Sequence, residues 1–205
     1  MITKNTQQLA QEVKKHIEAD SVIQGDYWED GKGCFIGCLA HGDNVQQLLK
    51  TYGLPPGLTR ICEAIFEGLS LEEAKQFFAD FPSAIGYDGK NISLVQWQFL
   101  EDVLKNIPFQ KPEIQSVIDP VIAGIGLRAK GEKWDRKEAS AAANAANAAA
   151  NAAYAARYAT DTNCSAYSAS AAASCADSAA SCADSANAEF KRQRDVLLEL
   201  IRQAV

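Results

Sequence analysis

The chain lacks any long hydrophobic run. Nowhere in its 205 residues do roughly 18 strongly apolar side chains follow one another, so no membrane span is expected. It also lacks an excess of positive charge. Lys and Arg total 20 against 26 Asp and Glu, a net charge of −6. A protein that coats nucleic acid needs a basic face, so no nucleic-acid polymer is expected as a partner. Residues 1–20 are polar with scattered aliphatics and have no signal-peptide core. The six cysteines, Cys34, Cys38, Cys62, Cys164, Cys175 and Cys182, therefore read as reduced thiols of a cytoplasmic protein rather than as a disulfide frame. Clear period-2 alternation is missing, which argues against a sheet larger than a short hairpin. Threonine repeats of the helical antifreeze kind are missing as well.

What is present is helical periodicity. Leu9, Val13 and Ile17 make a stripe along 3–17. Asp43 stands where it can cap a helix carrying Val45, Leu48, Leu49 and Tyr52. Leu58, Ile61, Cys62, Ile65, Phe66 and Leu69 repeat at spacings of three and four. Ser70 with Glu73 forms a capping box before Ala74, Phe77, Phe78 and Phe81. A further helix is expected to open at Ser93, and another at Pro112. Pro55, Pro56, Pro82 and Pro108 are placed in breaks between these stretches, and Pro120 is expected to interrupt the last of them. The fold class is all-α, with residues 1–131 as a compact helical domain.

Composition changes after residue 131. Residues 139–188 contain 25 alanines, and Ala has the highest intrinsic helix propensity. Asn144, Asn147, Asn151, Tyr154 and Tyr158 form a heptad-like stripe, and a seven-residue repeat brings Cys175 and Cys182 onto one face. Two long helices, about 132–159 and 165–203, are expected to fold as an antiparallel hairpin, making 132–205 an arm or oligomer interface. Ala and Ser let helix backbones approach closely, so a homo-oligomer assembled through this hairpin is expected. Phe190, Val196, Leu197, Leu198, Leu200 and Ile201 supply bulk for docking its end on the first domain.

The densest chemistry falls in residues 25–44, with five glycines among them. One reading is an anion site. Gly31, Lys32 and Gly33 precede a helix expected to begin near Cys34. Free N–H groups and the positive end of the macrodipole would then favour a negative charge. Tyr27 and Trp28 could stack on a base. The spacing is neither a P-loop nor a Rossmann fingerprint. A second reading places Cys34, Cys38 and His41 at i, i+4 and i+7 on one helix face as metal ligands, with Cys62 or Asp43 completing the set. A third makes Cys34 a nucleophile activated at a helix N-terminus. Its only nearby base, His41, would stand about 10 Å away on a straight helix, too far for direct proton transfer, and His16 could approach from the first helix.

The run from Gly31 to Cys34, then Ile36-Gly37-Cys38, His41-Gly42, Tyr52-Gly53-Leu54-Pro55, Phe66-Glu67-Gly68-Leu69 and an Ala-rich tail, resembles a group of bacterial and phage-borne proteins whose activity is not established. Phage association implies a small counter-defence protein that sequesters a nucleotide immune signal in the host cytoplasm. The expected function is therefore a non-catalytic protein that binds a small anionic, nucleotide-like ligand through Tyr27, Trp28, Gly31, Lys32, Gly33, Cys34 and His41, with no cofactor. The alternatives are an interaction or structural module acting through the Ala-rich helices, and a cysteine- or metal-dependent enzyme.

Overall fold

The computed structural model describes residues 1–106, 112–145 and 187–205. Most of the Ala-rich hairpin expected over 132–205 lies outside the described residues. Among the described residues the chain is helical with no strand, and three isolated bridges are its only extended pairings. In order the helices are α1 (Thr6–Glu18), α2 (Phe35–Ala40), α3 (Val45–Tyr52), α4 (Pro56–Gly68), α5 (Leu71–Ile85), α6 (Val95–Asn106) and α7 (Pro112–Ala129). Two more follow, α8 (136–145) and α9 (187–203). No described helix is long and apolar enough to cross a membrane.

The chain divides into two compact units, Met1–Phe99 with Ala186–Val205, and Leu100–Ser185. The first unit is built around α2. All six residues from Phe35 to Ala40 are buried; α1, α3 and α4 pack on this helix, and α5 packs on α1 and α4 while its phenylalanines reach Phe35. Phe35 is its pivot. Its ring stacks on Phe77 at 5.6 Å and meets Phe66, Phe78 and Phe81 edge-on at 6.3, 5.4 and 5.1 Å. Each fully buried Phe contributes roughly 1.5–3 kcal/mol of hydrophobic free energy, and edge-to-face pairs add to that. The period-3.6 stripe of α5 follows from Ala74, Phe77, Phe78 and Phe81 all turning to this cluster.

α9 completes the unit. Leu197, Leu198 and Ile201 are buried, and the Phe190 ring lies where a side chain at Gly68 would otherwise stand. Lys191 pairs with Glu73 at 2.7 Å. The buried ammonium of Lys90 donates to the carbonyls of Ala84 (3.1 Å), Ile201 (2.9 Å) and Arg202 (3.2 Å). One cation thereby satisfies the C-terminal carbonyls of two helices, α5 and α9, where the macrodipole favours positive charge.

The second unit contains the end of α6, then α7 and α8. Trp134 lies flat against Gly124, a position with no room for a side chain, and Ile125, Ala129 and Ala142 are buried.

Local differences from the sequence expectations have simple causes. Pro82 lies inside α5 and Pro120 inside α7, rather than in breaks. Pro82 stands in the last turn, where only one intrahelical bond is forfeited before Gly86 ends the helix with a positive φ of 80°. The cap of α3 is Asn44, not Asp43, and its side chain accepts from the Gln47 N–H at 3.0 Å. The Ser70–Glu73 box closes side chain to side chain, with the hydroxyl donating to the carboxylate at 2.6 Å.

Gly37 is required by contact. A Cβ at this position would overlap the Tyr27 carbonyl oxygen, because the 25–33 loop lies against α2. Gly37→Ala is expected to destabilise the protein by about 3 kcal/mol, since neither backbone can yield. Gly57→Ala, whose Cβ meets only the movable end of the Gln96 side chain, should cost under about 1 kcal/mol. Urea unfolding midpoints at unchanged slope check the pair.

Candidate functional site

A six-residue buried helix leaves N–H groups that must be satisfied away from water. At the start of α2 the protein itself supplies partners. The Cys34 N–H donates to the Asp26 carbonyl at 3.0 Å. The Ile36 N–H donates to the Glu63 carboxylate at 2.8 Å. Glu63 thus occupies the place in which the anion reading put an external ligand. The other N–H groups of that reading are engaged too. Gly33 donates to the Ser21 carbonyl at 3.0 Å, and Lys32 to the Glu29 carbonyl at 2.9 Å. Glu29–Lys32 is a tight turn through Asp30 and Gly31, both at positive φ (49° and 80°), and Gly33 leads from it to Cys34, the N-cap of α2.

The other candidates are placed as follows. Lys32 and Gly31 are exposed on that turn, and Gly33 is buried. Tyr27 faces away from Trp28's surroundings toward α4. Its hydroxyl accepts from Arg60 at 2.9 Å, and the guanidinium also lies 5.8 Å from its ring, while Arg60 pairs with Asp43 at 2.6 Å. Cys34 and Cys38 are buried. Burial, together with the neighbouring Glu63 carboxylate, pushes the Cys34 thiol far above its ordinary range. Burial likewise pushes Cys38 up to about 12. Both stay protonated at neutral pH, so the helix N-terminus does not generate a thiolate here. Glu63 itself is raised by burial.

Cys34, Cys38 and His41 do not form a shared ligand set. α2 ends at Ala40, and His41 takes a left-handed conformation (φ 52°) that directs it outward while the two thiols point inward. The helix needed to carry positions i to i+7 on one face stops a residue short. Among the described residues, the groups with metal-ligand geometry are Glu12, His16 and His41, and separately Cys34, Glu63 and Glu67.

The first of these groups is the distinctive one. His16 continues the buried stripe of α1 after Leu9 and Val13, where Ile17 was expected to do so. It is 4% exposed. His41 is exposed beside it, at a ring separation of 5.9 Å. Trp28 stacks on His41 at 4.4 Å and 25°, and meets His16 edge-on at 5.6 Å. Glu12, one turn before His16, brings a carboxylate oxygen 4.0 Å from His16 Nε2.

Ser21 holds the His16 ring in place. Its hydroxyl oxygen lies 3.2 Å from the His16 carbonyl and is hydrogen-bonded to Nδ1 at 2.8 Å. Nε2 is buried and has no hydrogen-bond partner. Burial is the main cause that holds the His16 pKa below its ordinary value. Lys15 and His41 act in the same direction, and Glu12 and the Cys38 carbonyl act against it. An unpartnered buried acceptor costs roughly 1–3 kcal/mol.

Compared with protein-family models, curated proteins and solved structures, the chain matches none.

The depressed His16 pKa makes stability depend on pH. Protonation is harder in the folded state, so the contribution of neutral His16 is in place above about pH 6.5, the ordinary imidazole value, and is lost as pH falls below it. Glu63 and Glu67, both raised by burial, act in the opposite sense, gaining stability as they protonate. The difference between wild type and His16→Gln removes their share. The wild type's advantage in urea midpoint is expected to shrink steadily from pH 7.5 to pH 5. A pH-independent difference would show that His16 is not held neutral by its burial.

Proposed function

We propose that this chain is a non-catalytic small-ligand-binding protein whose ligand meets it at Glu12, His16, Trp28 and His41. The observation that carries this reading is the buried, unpartnered Nε2 of His16, aimed among groups that are themselves able to bind. A ligand would supply the missing partner and offset the cost of leaving it bare. The exposed His41 and half-buried Trp28 give the cluster an approach from solvent. Two rings of the cluster are held by contact with one another, which lowers the ordering cost of binding.

The N–H groups of Lys32, Gly33 and Cys34 donate within the protein and Glu63 accepts from Ile36 at the α2 terminus, so our reading places the ligand at the histidine cluster rather than at 31–34. The donors at the cluster, two imidazoles and a carboxylate, favour an electron-poor ligand. A catalytic role draws no support from the thiols, which burial keeps protonated.

A titration followed by tryptophan fluorescence tests the reading. The panel is nucleoside mono-, di- and triphosphates, phosphorylated sugars and divalent metal ions. At least one member is expected to change the wild-type emission, with the response lost in His41→Ala and kept in Lys32→Glu. A response equal in wild type and His41→Ala, or one abolished only by Lys32→Glu, would move the site to the 29–33 turn.

A further inference from the structure

We propose that Glu12, His16 and His41 form the binding site of a single divalent transition-metal ion of the zinc or cobalt class, with at least one coordination position left for water or an exogenous ligand. This rests on the reading that the cluster captures a ligand, and it names the class of that ligand.

The donor set is the first reason. One atom from each of the three residues lies within 4.8 Å of the others. Tetrahedral zinc with bonds near 2.0–2.1 Å separates its ligands by roughly 3.4 Å. The 4.0 Å between Glu12 and His16 Nε2 must therefore shorten by about 0.6 Å on binding. Glu12 supplies that movement, since it lies on the solvent side of α1 and is 31% exposed. Its position one turn before His16 keeps both on one helix face throughout.

The support around the ligands is the second reason. A metal-bound imidazole usually donates its other N–H to a fixed acceptor, which sets the tautomer and aims the ring. His16 has this arrangement already. Ser21 Oγ is hydrogen-bonded to Nδ1 at 2.8 Å, in place to accept its proton when Nε2 ligates, and Ser21 is anchored in turn on the His16 carbonyl. Nε2 is buried within the cluster and has no hydrogen-bond partner there. His41 is held by its stack on Trp28.

The chemistry of the donors selects the ion. Two neutral imidazoles and one carboxylate suit zinc, cobalt, nickel or copper, whereas calcium and magnesium take oxygen ligands. Three protein donors leave a fourth tetrahedral position, the pattern of sites that keep an exchangeable ligand. Lys15, 3.7 Å from the Glu12 carboxylate, competes for it, and it is largely exposed to screening solvent. Protons compete as well. Both imidazoles must be neutral to ligate, so affinity falls with pH, and Glu12, Lys15 and the Cys38 carbonyl all act on His16 during that titration.

Full-length protein, treated with chelator and kept reduced, is titrated with zinc by calorimetry and with cobalt by visible absorption at pH 7.5 and 5.5. Wild type is expected to bind one ion in a histidine-dependent way, more tightly at the higher pH. His41→Ala removes an exposed side chain and should leave the circular dichroism spectrum intact. Its affinity should fall by more than the roughly 10–100-fold typical of losing an outer-shell partner, and Glu12→Gln should also weaken binding. Ser21→Ala should fall within that 10–100-fold range. If His16→Ala fails to fold, the other three variants carry the test. Absence of any ion binding by wild type overturns the proposal. So does equal affinity in wild type and His41→Ala with a thiolate-to-cobalt charge-transfer band, which would assign the ion to cysteine. A protein that binds no metal ion but binds another panel member through His41 overturns the metal assignment and leaves the small-ligand reading standing. A protein that binds neither overturns both.

Discussion

The first unit depends on the burial of a six-residue helix. α2 contributes no exposed residue from Phe35 to Ala40, so every polar group at its start must find a partner inside the protein. Glu63 meets that demand for Ile36, and the Asp26 carbonyl meets it for Cys34. A buried carboxylate is costly unless hydrogen-bonded, and here the same bond offsets two costs at once. The consequence is geometric. Holding Asp26 over Cys34, and Tyr27 against Gly37, lays the 25–33 loop along α2 and brings Trp28 over His41.

The cluster of Glu12, His16, Trp28 and His41 is thus assembled by core packing rather than by a local motif. Its members come from α1, from the loop and from the residue that ends α2. α1 supplies Glu12 and His16 one turn apart, with Leu9 and Val13 fixing the helix's rotation by burial. The left-handed His41 turns its ring out of the core and toward Trp28. Ser21 then orients the one ring that is fully enclosed. Rigid elements carry the donors, which is the arrangement that holds ligand geometry most closely.

Much of the helical architecture was legible in the sequence because period-3.6 stripes are a local signal. Ala74, Phe77, Phe78 and Phe81 lie on one face of α5 as their spacing requires, and the start of α2 beside Cys34 was readable from the glycines before it. Pro82 and Pro120 were misplaced because a proline can be housed within a helix when the lost bond is tolerated locally. The site was harder to read. The i, i+4, i+7 spacing of Cys34, Cys38 and His41 presumed a helix that continues, and it stops at Ala40. Glu63 was passed over although it interrupts the buried face between Thr59 and Phe66, a charged residue where an apolar one is expected. Glu12 with His16 carried the one-turn spacing of a ligand pair, but their partner His41 is 25 positions away in the sequence, and only the tertiary fold joins them.

The central claim is that His16 Nε2 is the atom that meets a ligand, which requires a neutral ring with its proton on Nδ1. The chain has only two histidines, so long-range proton–nitrogen correlation spectra of the imidazoles can be assigned with a single variant, His41→Ala. At pH 7.5 the account predicts a His16 ring protonated at Nδ1 alone, with the Nε2 resonance moving when zinc is added. A His16 ring protonated at Nε2, or at both nitrogens, would contradict it.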